Sequence, residues 1–458
     1  MMRKRRTLLL MEGIHMNNIV RKTGIAAGVL ALAVTAGCGG KSTGAGMIIA
    51  QAETVKAETK YKDAEAYQMS DEYYAYLDEH YKSVEASRTL QDQAYPFYQK
   101  TMQAFLKKAG NENRVYSPLN VYIALGMLAE CADGNSRKQL LDLLGAENTE
   151  DLRNIIDAAW TANSADNPVL KELYANSIWL NENIAFHQEI PDLLAKQYHA
   201  SSYKGKMGTD ELNKAFQDWL NDNTGHLLEE YAKNQKTEAD TVMALASALY
   251  LKASWASAFE KELTKEETFH APDKDIQTEM MHSSETGTVY YGNGWKAVSL
   301  YLTDCGVMWF ILPEEGLSPE ILLDDPEVYE LIKGNYDGIE SRTGTVNLSL
   351  PKLDVSSEIS LIDELKKLGV TDIFTGSADF SPLTDTEAYI SSISHAARLK
   401  SDEDGVEAAA FTVVMMTESA LAGEPEIIDF TADHPFLFAL SGQDHAVLFT
   451  GIVNHPAD

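Results

Sequence analysis

Cysteine is scarce in this chain, with three residues in a total of 458. Three thiols cannot build a disulfide framework, so the fold must depend on a packed core. We interpret Cys131 and Cys305 as buried thiols and leave a bridge between them open. The apolar content of 45% is ordinary for a folded globular protein of this length.

Basic residues are also few, with 38 Lys and Arg against 69 Asp and Glu, a formal net charge of −31. A surface of this sign repels phosphate backbones, which argues against nucleic acid as a partner. It argues equally against a basic patch for sulfated polysaccharides. We expect the acidity to serve solubility.

Signatures of hydrolytic and metal chemistry are missing. The chain has no G-x-S-x-G elbow and no H-E-x-x-H motif, which argues against a serine hydrolase and a zinc protease. His434, His445 and His455 lie close in sequence, but their spacing fits no standard metal site. We therefore expect neither a metal nor a cofactor. The order of elements also lacks the repeated βαβ units of a solute-binding lipoprotein.

The N-terminal segment has the features of a targeting signal. An apolar run at residues 25–34 is short for a membrane span and is followed by Thr-Ala-Gly-Cys at 35–38. This pattern resembles the bacterial lipoprotein signal, in which the cysteine, here Cys38, becomes lipidated. Thr35 departs from the usual leucine, and an ordinary cleaved signal peptide is the alternative. Met16 is a second candidate start.

Composition divides the rest of the chain into a tether and a domain. Residues 39–90 are rich in Gly, Ala, Glu and Lys and lack a sustained apolar stripe, which predicts a flexible or partly helical tether. From residue 91 to 458, helical periodicity comes mostly first and short alternating runs mostly later. This order predicts an α+β domain with largely antiparallel sheets.

Within this domain, several segments resemble the serpin family in the family's order, from about residue 95 to 456. The segments are Val-Tyr-Ser-Pro-Leu at 115–119, Gly-Asn at 134–135, Ala-Asn-Ser-Ile-Trp-Leu at 175–180, Ala-Leu-Tyr-Leu-Lys at 248–252 with Trp255, Leu-Pro-Lys-Leu at 350–353, Ala-Asp-Phe-Ser at 378–381, residues 402–412, and Asp-His-Pro-Phe at 433–436. Most of them are weak alone, and their colinearity makes the resemblance specific.

The resemblance implies a serpin fold, with about eight or nine helices around three largely antiparallel sheets and an exposed reactive-centre loop. It also implies a monomeric inhibitor of serine-type endopeptidases that is not itself an enzyme. In the family, a protease cleaves the loop, and the severed arm enters the central sheet as a new strand before the acyl-enzyme is hydrolysed.

The segment after Asp402 is similar to the hinge of inhibitory serpins. If the arm is a strand, one face carries Val406, Ala408, Ala410, Thr412, Val414 and Met416, none of them charged. No proline occurs from residue 405 to 423, so every backbone N–H can join a ladder. An ordinary buried strand or an Ala-rich helix is the alternative. The predicted hinge residues are Glu403, Gly405, Val406, Glu407, Ala408, Ala409, Ala410 and Thr412.

The family's arm length places the scissile bond between Ser419 and Ala420. The bonds Glu418–Ser419 and Ala420–Leu421 remain alternatives. Small residues here suit the narrow pockets of elastase-like or subtilisin-like proteases, and no Arg or Lys occurs between Thr412 and Glu426.

Two further groups of residues match family positions that control sheet opening. Glu403 matches a glutamate that pairs with a lysine, here Lys352, above the packed ring of Trp255. The second group is Ser117, Asn120, Ser247 and His395, where the family usually has serine at 120 and asparagine at 247. We interpret this as an exchange of hydrogen-bond donors across one cluster; two unrelated changes that weaken the cluster are the alternative.

The sequence thus predicts an extracellular, lipid-anchored inhibitory serpin at a bacterial cell surface. The alternative within the family is a non-inhibitory serpin that acts as a binding or substrate-like surface lipoprotein. The alanines at 408–410 favour inhibition, because non-inhibitory hinges usually carry bulky, charged or proline residues.

Overall fold

The computed structural model describes residues 47–52, 59–406 and 426–457. The α-helices are α1 (Ala64–Gln68), α2 (Asp71–Leu106), α3 (Pro118–Cys131), α4 (Gly134–Leu144), α5 (Thr149–Asn163), α6 (Glu189–Gln197), α7 (Asp210–Asp222), α8 (Glu229–Asn234), α9 (Pro326–Ile332) and α10 (Ile362–Lys367). Short 3₁₀ helices cover Lys261–Leu263, Pro319–Asp324 and Asp372–Phe374.

The strands alternate with these helices in the first half of the domain and dominate the second half. They are β1 (Met47–Ala50), β2 (Arg114–Tyr116), β3 (Ala165–Asp166), β4 (Leu170–Asn181), β5 (Ala200–Gly205), β6 (Met243–Ser254), β7 (Lys265–His270), β8 (Asp275–Gly292), β9 (Trp295–Leu302), β10 (Gly306–Pro313), β11 (Glu340–Pro351), β12 (Leu353–Ser360), β13 (Ser394–Ser401), β14 (Gly405–Val406), β15 (Ile427–Thr431), β16 (Phe436–Gly442) and β17 (Val447–Val453).

Two sheets organise the described residues. The sheet that we call the main sheet has the order β1-β5-β4-β6-β14-β13-β12, with β3 beside β4. The second sheet has the order β15-β11-β8-β9-β10-β16-β17-β2, with β7 beside β8. All strand pairs are antiparallel except β4 with β5 and β11 with β15. The predicted α+β fold with largely antiparallel sheets is confirmed.

The element counts differ from the expectation of eight or nine helices and three sheets. The described residues form ten α-helices and two sheets. β8 accounts for the lower number of sheets, because its 18 residues pair with β11, with β7 and with β9. One strand therefore joins two sets of strands that a shorter element would leave as separate sheets.

Residues 64–106 do not form a free tether in the structure. Helix α2 begins at Asp71, behind the Ser70 cap, and continues for 36 residues into the core. Its first half buries Tyr73, His80 and Val84. The predicted tether of residues 39–90 is therefore corrected for residues 64–90, where tyrosine and polar side chains take the place of an aliphatic stripe.

Specific polar contacts hold this first half of α2 on the domain. The Tyr73 hydroxyl donates to Asp304 at 2.8 Å, in the turn between β9 and β10. The Ser87 hydroxyl donates to the buried carboxylate of Asp444 at 2.6 Å. Ala64, Tyr67 and Tyr73 pack against Val169, next to the start of β4.

The core lies between the two sheets and the helices that cover them. In α3, 13 of the 14 residues are buried, so this helix forms the centre of the domain. Cys131 and Cys305 are buried and free, which confirms their interpretation as buried thiols and decides against the bridge that had been left open. None of the helices in the described part of the chain is both long and apolar enough to cross a bilayer.

Candidate functional site

The site begins where the hinge enters the main sheet. β14 lies between β6 and β13, with Gly405 opposite Ser254, and with Val406 opposite Ala253 on one side and Ser401 on the other. Val406 is only 3% exposed. We call this end of the main sheet the upper end; the lower end is where Leu180 lies opposite Met243. The first two residues of a central strand are thus already in place.

Close backbone approach explains the glycine at 405. A Cβ atom added there would lie 2.2 Å from the Ala253 carbonyl oxygen and 2.7 Å from the Ser254 Cα atom. Only glycine permits β14 to pair with β6 at this distance. The preceding turn is closed by a hydrogen bond of 3.0 Å from the Asp402 N–H to the Gly405 carbonyl.

A charged cluster sits on the turn before β14. The Glu403 carboxylate accepts a hydrogen bond from the Thr264 hydroxyl at 2.7 Å and lies 3.0 Å from the Lys352 ammonium. Lys352 also contacts Glu279 at 3.1 Å. Burial opposes the charge on Glu403, but the bonds from Thr264 and Lys352 outweigh it and hold the pKa of Glu403 below its usual value.

Trp255 packs beneath this turn. Its indole N–H donates to the Asp402 carbonyl at 2.8 Å, its backbone N–H donates to the Asp404 carbonyl at 3.1 Å, and the residue is 1% exposed. Lys261 contacts Asp404 at 2.6 Å. The structure thus brings together Glu403, Lys352 and Trp255, which the sequence grouped. It adds Thr264, Glu279 and Lys261, for which the sequence gave no signal.

Below Val406, the described strands leave a gap in the main sheet. Within the described residues, the only ladder that links β6 to β13 runs through the two residues of β14. A cavity of about 650 Å³ lies beneath, lined by the lower half of β6, by β13 and the segment before it, and by side chains of α3, α7 and α8. The cavity has the position of a missing strand.

The second predicted group of residues lies in the wall of this cavity. The Asn120 amide donates to the Ser247 carbonyl at 3.1 Å, and the Ser247 hydroxyl donates to the Asn120 side-chain oxygen. The Ser117 backbone N–H donates to Nε2 of His395 at 3.0 Å, and the Ser117 hydroxyl caps α3 by accepting from the Asn120 N–H at 3.2 Å. These bonds connect α3, β6 and β13 at one level of the sheet.

His395 is uncharged at neutral pH in this environment. It is 8% exposed, and burial lowers its pKa to about 4. A neutral imidazole leaves Nε2 free to accept the Ser117 N–H, whereas a protonated ring could not. We call Ser117, Asn120, Ser247 and His395 the wall cluster. Its hydrogen bond between Ser117 and His395 forms only when His395 is neutral.

Several predicted residues lie outside the described part of the chain. They are Glu407, Ala408, Ala409, Ala410 and Thr412 of the hinge, the scissile-bond candidates Glu418, Ser419, Ala420 and Leu421, and the lipidation candidate Cys38. In the described residues, no group of three or more His, Cys, Asp or Glu has a metal-binding arrangement.

Comparisons with known proteins agree with this geometry. A family model described as "Serpin (serine protease inhibitor)" matches residues 93–456. Serpin-Z1C of Triticum aestivum is 30% identical over 374 residues, which are 76% of this chain and 91% of that protein. Neuroserpin of Gallus gallus is 29% identical over 370 residues, 76% of this chain and 87% of that protein. The native-state crystal structure of the thermophilic serpin tengpin superposes with a TM-score of 0.69 at 25% identity, covering 79% of this chain and 93% of that one.

Proposed function

Because the chain belongs to the serpin family of protease inhibitors, which are not enzymes, we propose that it is an inhibitory serpin for serine-type endopeptidases. In this mechanism, the protease's serine attacks the carbonyl carbon of Ser419, and the peptide bond breaks to free the amino group of Ala420. The arm from Val406 then enters the gap between β6 and β13 while the acyl bond to the protease persists.

One observation supports this mechanism above all: a central strand that has begun above an open gap. Continued in the register of Gly405 and Val406, the arm places Ala408 opposite Leu251 and Ala410 opposite Leu249. Thr412 then lies opposite Ser247 on one side and His395 on the other, at the wall cluster. Every one of these partners except Ser247 is buried, so the neutral face of the arm matches the buried face of the gap.

The charged residue of the arm, Glu407, also lies beside residues of opposite charge in the extended register. In the same register, Glu407 lies opposite Lys252 of β6 and Lys400 of β13, on the opposite face from Val406. A carboxylate between two ammonium groups is favourable here, because Lys252 and Lys400 are both partly exposed. The arm therefore fits the gap in charge as well as in polarity.

The energies of the competing steps are comparable. Burial of one aliphatic side chain contributes about 1.5–3 kcal/mol and of an alanine less, so the six inward residues release on the order of 10 kcal/mol. Slowing acyl-enzyme hydrolysis a millionfold requires about 8 kcal/mol at 1.36 kcal/mol per decade. Insertion is thus strong enough to hold the protease only while the inward face stays uncharged.

The target class follows from the residues around the cut. Ser419 and Ala420 are small, and Arg and Lys are absent between Thr412 and Glu426. We propose an elastase-like or subtilisin-like protease as target. Incubation with a panel of such proteases, followed by mass measurement of the released peptide, identifies the bond that is cut.

We also propose that the protein acts outside the cell, on a lipid anchor at Cys38. The apolar run at 25–34 followed by Thr-Ala-Gly-Cys supports this location. Mass spectrometry of the mature N-terminus should show an acylated Cys38, and Cys38→Ala should move the protein from the membrane fraction to the medium. An unmodified N-terminus would contradict the anchor and leave the inhibitory mechanism untouched.

A matched pair of variants tests the insertion mechanism. Ala410→Glu places a charge on the inward face beside Leu249, and it should turn the inhibitor into a substrate that is cut without trapping. Ala409→Glu places the same charge on the opposite face, opposite Arg398 and Tyr250 in the extended register, and should retain trapping. Complexes that survive denaturing gels are the measurement.

The results separate the two functions within the family. Complexes with the unaltered protein and with Ala409→Glu, but not with Ala410→Glu, support inhibition by insertion. Equal trapping by both variants would show that the arm does not enter the sheet. Cleavage of the unaltered protein without any complex, with the protease still active, would favour a non-inhibitory serpin.

A further inference from the structure

Helices α7 and α8 cover the main sheet on the face that carries Tyr250 and Arg398, which we call the outer face. A Cβ atom added to Gly225 would lie 2.3 Å from the Tyr250 ring, so the turn after α7 packs directly on β6. The Arg398 guanidinium, on β13, donates to the Leu227 carbonyl at 3.3 Å. The turn between the two helices therefore bridges the gap from β6 to β13.

Below this turn, the cavity between β6 and β13 reaches the underside of α8. Leu228 and Tyr231, at and near the start of α8, line the cavity there, and Ala248 and Ala396 line it from the two strands. Side chains two residues apart in a strand share a face, so both alanines belong to the outer face. We call these four residues the cover pocket.

The position of Tyr231 fixes the level of the cover pocket. Burial, and the charge of the neighbouring Glu358, raise the pKa of the Tyr231 phenol, which stays neutral. Glu358 is the register partner of Ala396 in β12 and β13, so Tyr231 lies at the level of Ala396. Because Leu228 and the two alanines also lack charge, the cover pocket is an apolar recess on the outer face.

The reactive arm carries a large apolar residue for this level. Continued in the register of Gly405 and Val406, Phe411 lies opposite Ala248 of β6 and Ala396 of β13. Its side chain then projects from the outer face, towards α8. Alanine on both flanking strands leaves room beside the ring, whereas a larger residue on either strand would occupy part of the same volume.

The outer face of the arm changes in polarity where the covering helices begin. Glu407, at the upper end, lies beside Lys252 and Lys400 in the extended register, whereas Phe411 and Val413 follow beneath the helices. A phenylalanine buries about 150–250 Å² when it is enclosed. The apolar part of this face therefore coincides with the part of the gap that α7 and α8 cover.

We propose that Phe411 is a positioning residue, whose ring docks in the cover pocket and anchors the outer face of the inserted arm. This inference rests on the proposed inhibitory function. It assigns a share of the trapping to the covering helices, in addition to the inward face of the arm. An arm that stops above this level leaves the ring outside, so docking favours complete insertion.

A pair of complementary size changes tests the contact. Ala396→Leu narrows the cover pocket from β13, at a position that is partly exposed in the intact protein and therefore tolerant of the change. With an elastase-like protease, we expect several-fold more cleaved inhibitor per stable complex. Phe411→Ala in the same protein removes the competing ring and should restore most of the trapping. Ala396→Ser, which adds little volume, is the control and should trap like the unaltered protein.

Calorimetry measures the docking without a trapped protease. Phe411→Ala should lower the Tm of the cleaved protein by about 5 °C, because the cover pocket is left empty. The Tm of the intact protein should not change, since the ring docks only after insertion. Phe411→Leu, which keeps a large apolar side chain, should recover most of the loss.

The outcomes separate this contact from the function on which it rests. Full trapping by Ala396→Leu would show that the covering helices close over the pocket without Phe411, and would overturn the proposal. A loss that Phe411→Ala fails to rescue would assign the effect to distortion of β13 and overturn it as well. Absence of complexes from the unaltered protein would overturn the inhibitory function, while calorimetry of the cleaved proteins would still decide whether Phe411 docks.

Discussion

Individual residues at the upper end of the main sheet show which contacts a family resemblance can predict and which it cannot. The pairing of Lys352 with Glu403 followed from two positions that match the family, and the two groups lie 3.0 Å apart. Thr264 and Glu279 complete the same cluster, yet they stand more than 70 residues from the residues that they contact. Such partners depend on the three-dimensional arrangement of strands, which no local pattern in the sequence reveals.

The burial of His395 predicts a specific dependence of stability on pH. Because its pKa is about 4 in the folded protein and about 6.5 when unfolded, the unfolded chain binds the proton first as the pH falls. Stability that is complete above pH 6.5 should therefore decline towards pH 4, by about 3 kcal/mol from this residue. Urea unfolding at pH values across this range measures the decline.

The variant His395→Gln isolates this contribution. His80 and His445 also have lowered pKa values, because burial disfavours their charged forms, and they contribute to the slope in both proteins. We expect the variant to be less stable at neutral pH but to lose less stability on acidification. Parallel pH profiles for the two proteins would show that His395 is not the residue responsible.

Helices and strands were predictable from the sequence where their buried positions carry aliphatic residues at regular spacing. Helical periodicity was evident in the sequence from residue 91 onward, but the first 20 residues of α2 were assigned to a tether. In that half of α2, the buried positions are Tyr73, His80, Val84 and Ser87, whose polar atoms hide the periodicity. The extent of α2 depends on partners such as Asp304, which only the fold supplies.

Strand β1 was missed for a different reason. Four residues, Met-Ile-Ile-Ala, follow a flexible Gly- and Ser-containing stretch and carry no turn signals of their own. Short edge strands form because a neighbouring strand offers unpaired backbone groups, here those of β5. The unpaired edge of β5, and not the sequence of residues 47–50, therefore determines where β1 forms.

The charge match along the arm predicts the effect of reversing Glu407. Glu407→Lys would place a third ammonium group between Lys252 and Lys400 in the extended register, and like charges on neighbouring strands repel. We expect slower insertion and several-fold more cleaved inhibitor per complex. Glu407→Gln, which removes the charge without reversing it, should have a much smaller effect.

Stopped-flow fluorescence with a label at the lower end of β6 measures the insertion rate of these variants. The difference between them should shrink at high salt, because screening weakens the repulsion between exposed charges. A rate for Glu407→Lys equal to that of the unaltered protein would place residue 407 away from the two lysines.

At the scale of the whole molecule, the cavity of about 650 Å³ predicts that the cleaved protein is more stable than the intact one. In the proposed insertion, the arm would fill the cavity and pair with β6 and β13 along their length. A gain on the order of 10 kcal/mol corresponds to a rise in Tm of roughly 13 °C for a domain of this size. Calorimetry of intact and cleaved protein checks this. The cleaved Ala410→Glu variant serves as the control and should show little gain.

The fate of the other side of the cut follows from β15. This strand begins at Ile427, just downstream of the reactive segment, and is paired in parallel with β11 in the second sheet. In the proposed mechanism, the piece that starts at Ala420 would stay attached there after cleavage, while Ser419 would move to the lower end of the main sheet. The two halves of the broken bond can no longer meet, so each molecule is spent in a single encounter. If the protein acts at a cell surface, as proposed, protection of that surface scales with the number of copies displayed and with the speed at which synthesis replaces them.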